Sequence, residues 1–236
     1  MAEIRAVTAH DEIREAVRLQ REIWGFGDID LLPPRFFVVA AKIGGQVLGA
    51  FDGARMIGFC IAVPGVKPDG APYLHSHMLG VLPEYRNAGV GRALKLAQRD
   101  EALSRGIDLV EWTFDPLAVK NAFFNVERLG AIARRYIHNQ YGATSSPLHG
   151  GLPTDRCVAE WWLRSPRVEA IVNGQAWDRH KTSRRVSVPT TIADPRATQA
   201  ATSEALERAF ADGLAVIGFE RTDDTGTYLL GKWESQ

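Results

Sequence analysis

The sequence predicts an α/β (α+β) chain that ends in a small C-terminal α/β extension. Two apolar runs flank Asp52-Gly53, a strong short signal for a β-hairpin. Strand-like and helix-like periods alternate as far as Ser165. Beyond it the pattern loosens before a last helix and hairpin, so residues 1–165 read as one domain and 166–236 as the extension.

"EIRAVTA" alternates apolar and polar residues and reads as the first strand. "HDEIREAVRLQREIWG" places Ile13, Ala16, Val17 and Trp24 on one helical face, with Gly25 as its stop. "PPRFFVVAAKIGG" has the Phe/Val content of a strand. Pro34 near its start, Gly44 at its end and helical spacing of Phe36, Val39, Ala40 and Ile43 favour a short helix. After the hairpin, "YLHSHMLGVLP" is a strand ended by Pro83. A helix then runs to about Arg105, before Gly106, and "DLVEWTF" is the next strand. Asp115 and Pro116 read as N-cap and first residue of a helix through "LAVKNAFFNVERLG". The strands "ARRYIHNQYG" and "DRCVAEWWLRS" are joined by the loop "ATSSPLHGGLPT". In the extension, the basic connector "DRHKTSRR" precedes a strand "VSVPTTI". "TSEALERAFADG" is a helix with Leu206, Ala209 and Phe210 on one face, followed by a hairpin around Asp224 to Gly226. No internal repeat is present.

Of the 236 residues, 45% are hydrophobic and 24% charged, an ordinary globular balance. Lys+Arg and Asp+Glu both number 28, so no long-range field draws the chain to nucleic acid or to an anionic membrane. Cys60 and Cys157 make neither a disulfide framework nor a metal quartet, and fit a reducing cytoplasm. No apolar run approaches the ~20 residues needed to span a bilayer, and Met1 leads straight into polar residues, so a soluble cytoplasmic protein is expected.

"VLPEYRNAGVGRAL" puts Gly89 and Gly91 at the mouth of a helix. Helix starts leave amides without partners and carry partial positive charge, and glycines let that backbone approach an anion. Such a turn can equally be merely tight. A nucleotide triphosphate cradle is excluded, because G-x-x-x-x-G-K-[S/T] is absent. A dinucleotide turn is excluded too, because Leu94 stands where the third glycine would be.

What remains, Arg86-x-x-Gly89-x-Gly91 after a strand ending "LGVLP", closely resembles the acyl-CoA signature of the Gcn5-related N-acetyltransferase (GNAT) superfamily. The order of elements resembles that family as well, over roughly residues 3 to 165. The resemblance implies a mixed, mostly antiparallel sheet flanked by helices, and acetyl-CoA or another short acyl-CoA as donor. It implies that Asn87, Ala88, Gly89, Val90 and Gly91 hold the pyrophosphate, with Arg86 shaping the loop and Arg92 adding a contact. Leu79, Gly80 and Val81 would lie on the strand that pairs with the pantetheine arm, and Asn121 and Phe124 beside that arm. Many members place a tyrosine acid four residues before the glycine that ends the helix after the fifth strand. Here Val126, beside Asn125, occupies that place, which leaves Tyr136 or Tyr141 as candidates. Quoted together, "LHSHMLGV", "WTFDPL", "NAFFN" and "GLPTDR" also resemble an uncharacterised bacterial GNAT branch with the same extension. That branch implies an amino-acid acceptor, with succinyl-CoA as an alternative donor.

Acyl transfer to an amine needs a base for the ammonium proton. His75 and His77 share one strand face and suit that task, or are packed core histidines. Glu111 on the neighbouring strand is a base acting through water, or part of a solvated face. Asp155 and Arg156 could bind the ammonium and carboxylate of an amino acid, or fix the loop as an ion pair. Phe114, Trp161 and Trp162 read as core. The expected activity is N-acyl transfer to a small-molecule amine, without a metal, nucleic acid or membrane partner, in a chain that could form a homodimer. Protein N-terminal or lysine acetylation, and a non-catalytic acyl-CoA-binding module, are the alternatives.

Overall fold

A computed structural model describes residues 2–142, 151–177 and 181–233. Part of the loop "ATSSPLHGGLPT" and of the connector "DRHKTSRR" lies outside the described residues. The chain forms two compact units, one carried by residues up to Glu111, the other by Trp112–Ala143 and Leu152–Gln236.

The first unit contains β1 (Glu3–Ala6), α1 (His10–Trp24), α2 (Pro34–Lys42), β2 (Gln46–Asp52), β3 (Arg55–Val66), β4 (Pro72–Val81) and α3 (Val90–Ser104). It also takes the opening half of β5 (Leu109–Phe114). Its strands lie in the order β1-β2-β3-β4-β5. Neighbours are antiparallel except β4 and β5, which are parallel and register only at Leu74–Val110 and His75–Glu111.

α1 ends as expected, with Gly25 at φ 67 donating its amide to the Arg21 carbonyl. It buries Ile13, Ala16, Leu19 and Ile23, while Val17 and Trp24 pack at the margin. In α2 the buried strip is Phe37 and Ala40; Val39 and Ile43, expected on that face, are exposed. The Phe36-Phe37 and Val38-Val39 pairs make the helical phase ambiguous by one residue, and packing resolves it. Between Asp52 and Arg55 the hairpin turns through two residues, with Gly53 at φ 58.

Gly80 is where β4 meets α1. A Cβ there would stand 2.4 Å from Trp24 Cη2 and 2.9 Å from Ile23 Cδ1. Gly80→Ala is therefore expected to cost about 1–3 kcal/mol through overpacking. Thermal denaturation reads this as a lower Tm; an unchanged Tm would mean that α1 yields freely.

The second unit contains the rest of β5, α4 (Val119–Phe123) running into a π-helical turn (Phe124–Arg128), β6 (Ile132–Ile137) and β7 (Arg156–Trp162). It continues through α5 (Pro166–Val172), β8 (Thr182–Pro189), α6 (Pro195–Ala211), β9 (Leu214–Arg221) and β10 (Thr225–Lys232). Strand order is β5-β7-β6-β9-β10-β8. The fold class is mixed α/β, with largely antiparallel strand pairing and flanking helices. Trp161 and Phe114 are core, as expected, and the Trp161 indole donates to the Leu129 carbonyl at 2.6 Å.

Three expectations are corrected here. Asp115 does not cap a helix: its carboxylate accepts the Leu117 amide at 2.8 Å, an Asx turn, and α4 starts only at Val119. The segment after Ser165 holds a further helix, α5. Ser165 caps it by accepting the Val168 amide, and Pro166 is its first residue. α6 begins at Pro195 rather than within "TSEALERAFADG", capped by Asp194 through the Ala197 amide at 3.0 Å. From α5, the buried Arg167 guanidinium donates to the carbonyls of Val126 and Gly130, both at 3.0 Å. Glu127 in the π-helical turn accepts the Phe219 amide at 2.7 Å.

Candidate functional site

The glycine turn follows from Pro83, which ends β4's extension in a short 3-10 turn over Pro83–Tyr85. That turn is anchored to the β2–β3 hairpin by Tyr85 to Asp52 (2.9 Å) and Arg55 to Glu84 (2.8 Å). Arg86 turns back to donate to the Val81 carbonyl at 3.1 Å, fixing the loop's base. Asn87 and Gly89 then take left-handed φ values of 63 and 83, and α3 starts at Val90. Asn87, Ala88 and Gly89 are exposed, and a Cβ on Gly89 would find nothing within 4 Å. Among the described residues, none outside the turn's own neighbours comes within that distance. A helix N-terminus with glycine-thin walls suits a pyrophosphate.

β4 passes beneath. Its ladder to β5 stops after His75, so among the described residues Ser76 to Val81 have no register partner in β5. The ladder to β3 is irregular at one place. Ile61 pairs with Met78 and Ala62 with Ser76, which leaves His77 as the extra residue of a β-bulge. The bulge does not part the two histidines, whose ring centroids are 6.0 Å apart; Phe36 of α2 lies 6.4 Å from His77. Burial holds both imidazoles below their ordinary range, His75 at about 4 with help from His77, Lys95 and Lys67. Both are thus neutral at pH 7, able to accept a proton, and weaker bases than an exposed imidazole.

Glu111 is buried and paired with Lys67 at 2.6 Å, and the Lys67 ammonium also lies 4.5 Å from the Tyr73 ring centroid. That pairing holds the carboxylate in place and competes with a role as proton acceptor.

In the second unit, Asn121 is exposed at the start of α4 and accepts from the buried Asn125 at 3.3 Å. Val126, at the place of the tyrosine acid, is buried too, so no hydroxyl stands there. Tyr136 donates to Asp155 at 2.9 Å. Burial, then this bond, pushes its phenol well above the ordinary range, which makes it a poor acid. The Asp155 carboxylate also accepts the Asn139 amide at 2.9 Å and faces His138 at 3.4 Å. It works as the anchor of the corner after β6. Tyr141 is exposed; its hydroxyl meets Thr113 at 2.6 Å, and the Arg156 guanidinium lies 5.5 Å from its ring centroid. Arg156 is 7% exposed and donates to the Asp155 carbonyl at 2.7 Å.

The sequence reading missed Lys67, Lys95 and His138. Only Lys95 left a signal: it interrupts the buried stripe Val90, Leu94, Gln98, Ala102 of α3 with a charge. Among the described residues, no group of three His, Cys, Asp or Glu is placed to hold a metal ion, and no helix is long and apolar enough to cross a membrane. Both cysteines are free and buried.

Residues 7–130 match the acetyltransferase (GNAT) family profile. No curated protein matches the chain's sequence. Among solved structures, Arabidopsis thaliana NAA60 in complex with acetyl-CoA is similar with a TM-score of 0.56 at 15% identity, over 69% of this chain and 99% of that one. The ribosomal-protein-S18-alanine N-acetyltransferase from Escherichia coli is similar at 0.53 and 18%, over 70% and 96% of the two chains. Arabidopsis thaliana Naa50 with the bisubstrate analogue CoA-Ac-MVNAL gives 0.52 and 16%, over 67% and 97%.

Proposed function

Because the chain belongs to the acetyltransferase (GNAT) family, we propose that it moves an acetyl or other short acyl group from acyl-CoA to the amine of a small molecule, with an amino acid as the acceptor. The observation that carries the donor half is the open glycine turn: exposed backbone, Gly89 at φ 83, and no atom within 4 Å of a Cβ there. Asn87 to Gly91, with Arg86 and Arg92, take the pyrophosphate; Leu79 to Val81, Asn121 and Phe124 take the pantetheine arm. The solved relative holding acetyl-CoA supports this donor. Residues 1–165 form the acyltransferase domain and 166–236 the extension, and two buried free thiols suit a reducing cytoplasm.

In the reaction, the amine nitrogen attacks the thioester carbon, the C–N bond forms and the C–S bond breaks. His75 or His77, neutral at pH 7, accepts the ammonium proton. Glu111 acting through water is the alternative base. The departing thiolate takes a proton from the Tyr141 hydroxyl or from water, since Tyr136 is committed to Asp155. Arg156, oriented by the Tyr141 ring and the Asp155 carbonyl, takes the acceptor carboxylate.

A second reading, acetylation of protein N-termini, is favoured by the names of two relatives, one an S18-alanine N-acetyltransferase and one bound to a CoA–peptide analogue. Thiol release from acetyl-CoA and succinyl-CoA, measured against a panel of amino acids and N-terminal peptides, separates the two. Turnover with free amino acids is expected; turnover with peptides alone would replace the first reading by the second. Arg156→Lys keeps the charge but loses the planar fork, so kcat/KM for amino acids is expected to fall about tenfold with acyl-CoA binding unchanged. A wild-type rate in that variant would remove Arg156 from the acceptor side.

A further inference from the structure

Lys95 stands on the inward side of α3, 3% exposed, in line with the buried Val90, Leu94, Gln98 and Ala102. A buried ammonium is costly unless its protons are taken up. Here Nζ donates to Ser76 Oγ at 2.8 Å and to Gln98 Oε1 at 2.9 Å. The main-chain carbonyl of Gln98 in turn accepts the side-chain amide of Gln46 in β2 at 3.0 Å. A buried polar row thus runs from β2 through α3 to Ser76 in β4.

Ser76 is the residue immediately before the bulge. It pairs with Ala62, Met78 pairs with Ile61, and His77 falls between them. By strand alternation Ser76 faces α3 while His75 faces the other side of the sheet. A bulge interrupts the ladder and turns the side chains on either side of it, so its geometry needs support from outside the ladder. The hydrogen bond from the buried Lys95 Nζ to Ser76 supplies such support.

We propose that Lys95 is a positioning residue: by holding Ser76 it fixes the β4 bulge and with it the aim of His75 and His77. The proposal rests on the reading of these histidines as the candidate bases. Its second effect is electrostatic. The titratable groups around His75 are His77 on β4, Lys95 on α3, Lys67 after β3 and Glu111 on β5; after burial and His77, the Lys95 charge further disfavours the imidazolium. Burial pushes Lys95 itself down to about 7, the direction expected for an ammonium under a helix.

The test uses the full chain with Ser76→Ala, Lys95→Met and Lys95→Gln, read by acetyl-CoA titration calorimetry, by steady-state kinetics with the best amine of the panel, and by NMR of the imidazoles across pH. Ser76→Ala removes one hydroxyl and is the variant least able to disturb folding. It and Lys95→Met are expected to bind acetyl-CoA within about twofold of wild type, to lose about tenfold in kcat, and to shift the His75 and His77 imidazole resonances. Lys95→Met should also raise the His75 titration midpoint, whereas Ser76→Ala should not. Lys95→Gln keeps a donor for Ser76 and should recover most of the turnover. Unmoved imidazole resonances and full kcat in Ser76→Ala overturn the proposal. So does a Lys95→Met variant that only melts earlier. Shifted resonances with unchanged kcat would instead retire the histidines as bases while leaving the positioning intact.

Discussion

Gly89→Val is expected to leave a folded protein that no longer responds to acetyl-CoA. In the wild type, ligand at about 100 times its Kd adds about 2.7 kcal/mol to the native state, which for a chain of this size raises Tm by on the order of 5–10 °C. The variant should lose most of that rise. Two causes act together at this position. The left-handed φ of 83 strains any side chain by roughly 1–2 kcal/mol, and the new methyls occupy the open space above the turn, where no protein atom lies within 4 Å of a Cβ. The strain lowers the baseline Tm modestly; the lost ligand response is the diagnostic quantity. An unchanged acetyl-CoA shift in both Gly89→Val and Gly91→Val would sink the pyrophosphate assignment.

The histidine pair carries the other large effect. Ala at whichever of His75 and His77 is the base should cost ~100-fold or more in turnover while acetyl-CoA binding persists. If His75, held down at about 4, is the base, the wild-type rate should not fall between pH 8 and pH 6 through its protonation; if it is His77, any fall should lie below the ordinary imidazole range. A base with an ordinary imidazole pKa would give a drop in that window. Full activity in both variants would move the role to Glu111, whose bond to Lys67 makes a Lys67→Met variant the next experiment.

Much of this was legible in local chemistry. The hairpin at Asp52-Gly53 and the glycine turn declare themselves because few other residues tolerate their backbone. Asp115-Pro116 misleads because an aspartate before a proline reads alike as N-cap and as Asx turn; only the position of the first helical hydrogen bond tells them apart. α5 is short, and the Ser165-Pro166 signal was easily lost beside a loosening hydrophobic pattern. At the candidate site, His75 and His77 could be named from strand alternation. The bulge at His77 could not, because a bulge is a property of two strands in register and leaves no mark on one. The anchoring of Asp155 by Tyr136 and the Asn139 amide was hidden for the same reason: its partners are 19 and 16 residues away.

Arg167 gives the C-terminal region a meaning beyond that of an appendage. A helix end leaves carbonyls without intrahelical donors; here the Val126 carbonyl in the π turn and the Gly130 carbonyl just beyond it are both closed by a guanidinium from α5. The carboxylate of Glu127 is met in turn by the Phe219 amide of β9. α5 and β9 therefore complete an element that comes before them in the chain, Arg167 and Val126 being 41 residues apart. Ending the chain after Ser165 would leave the α4 turn its sequence and take away what closes it.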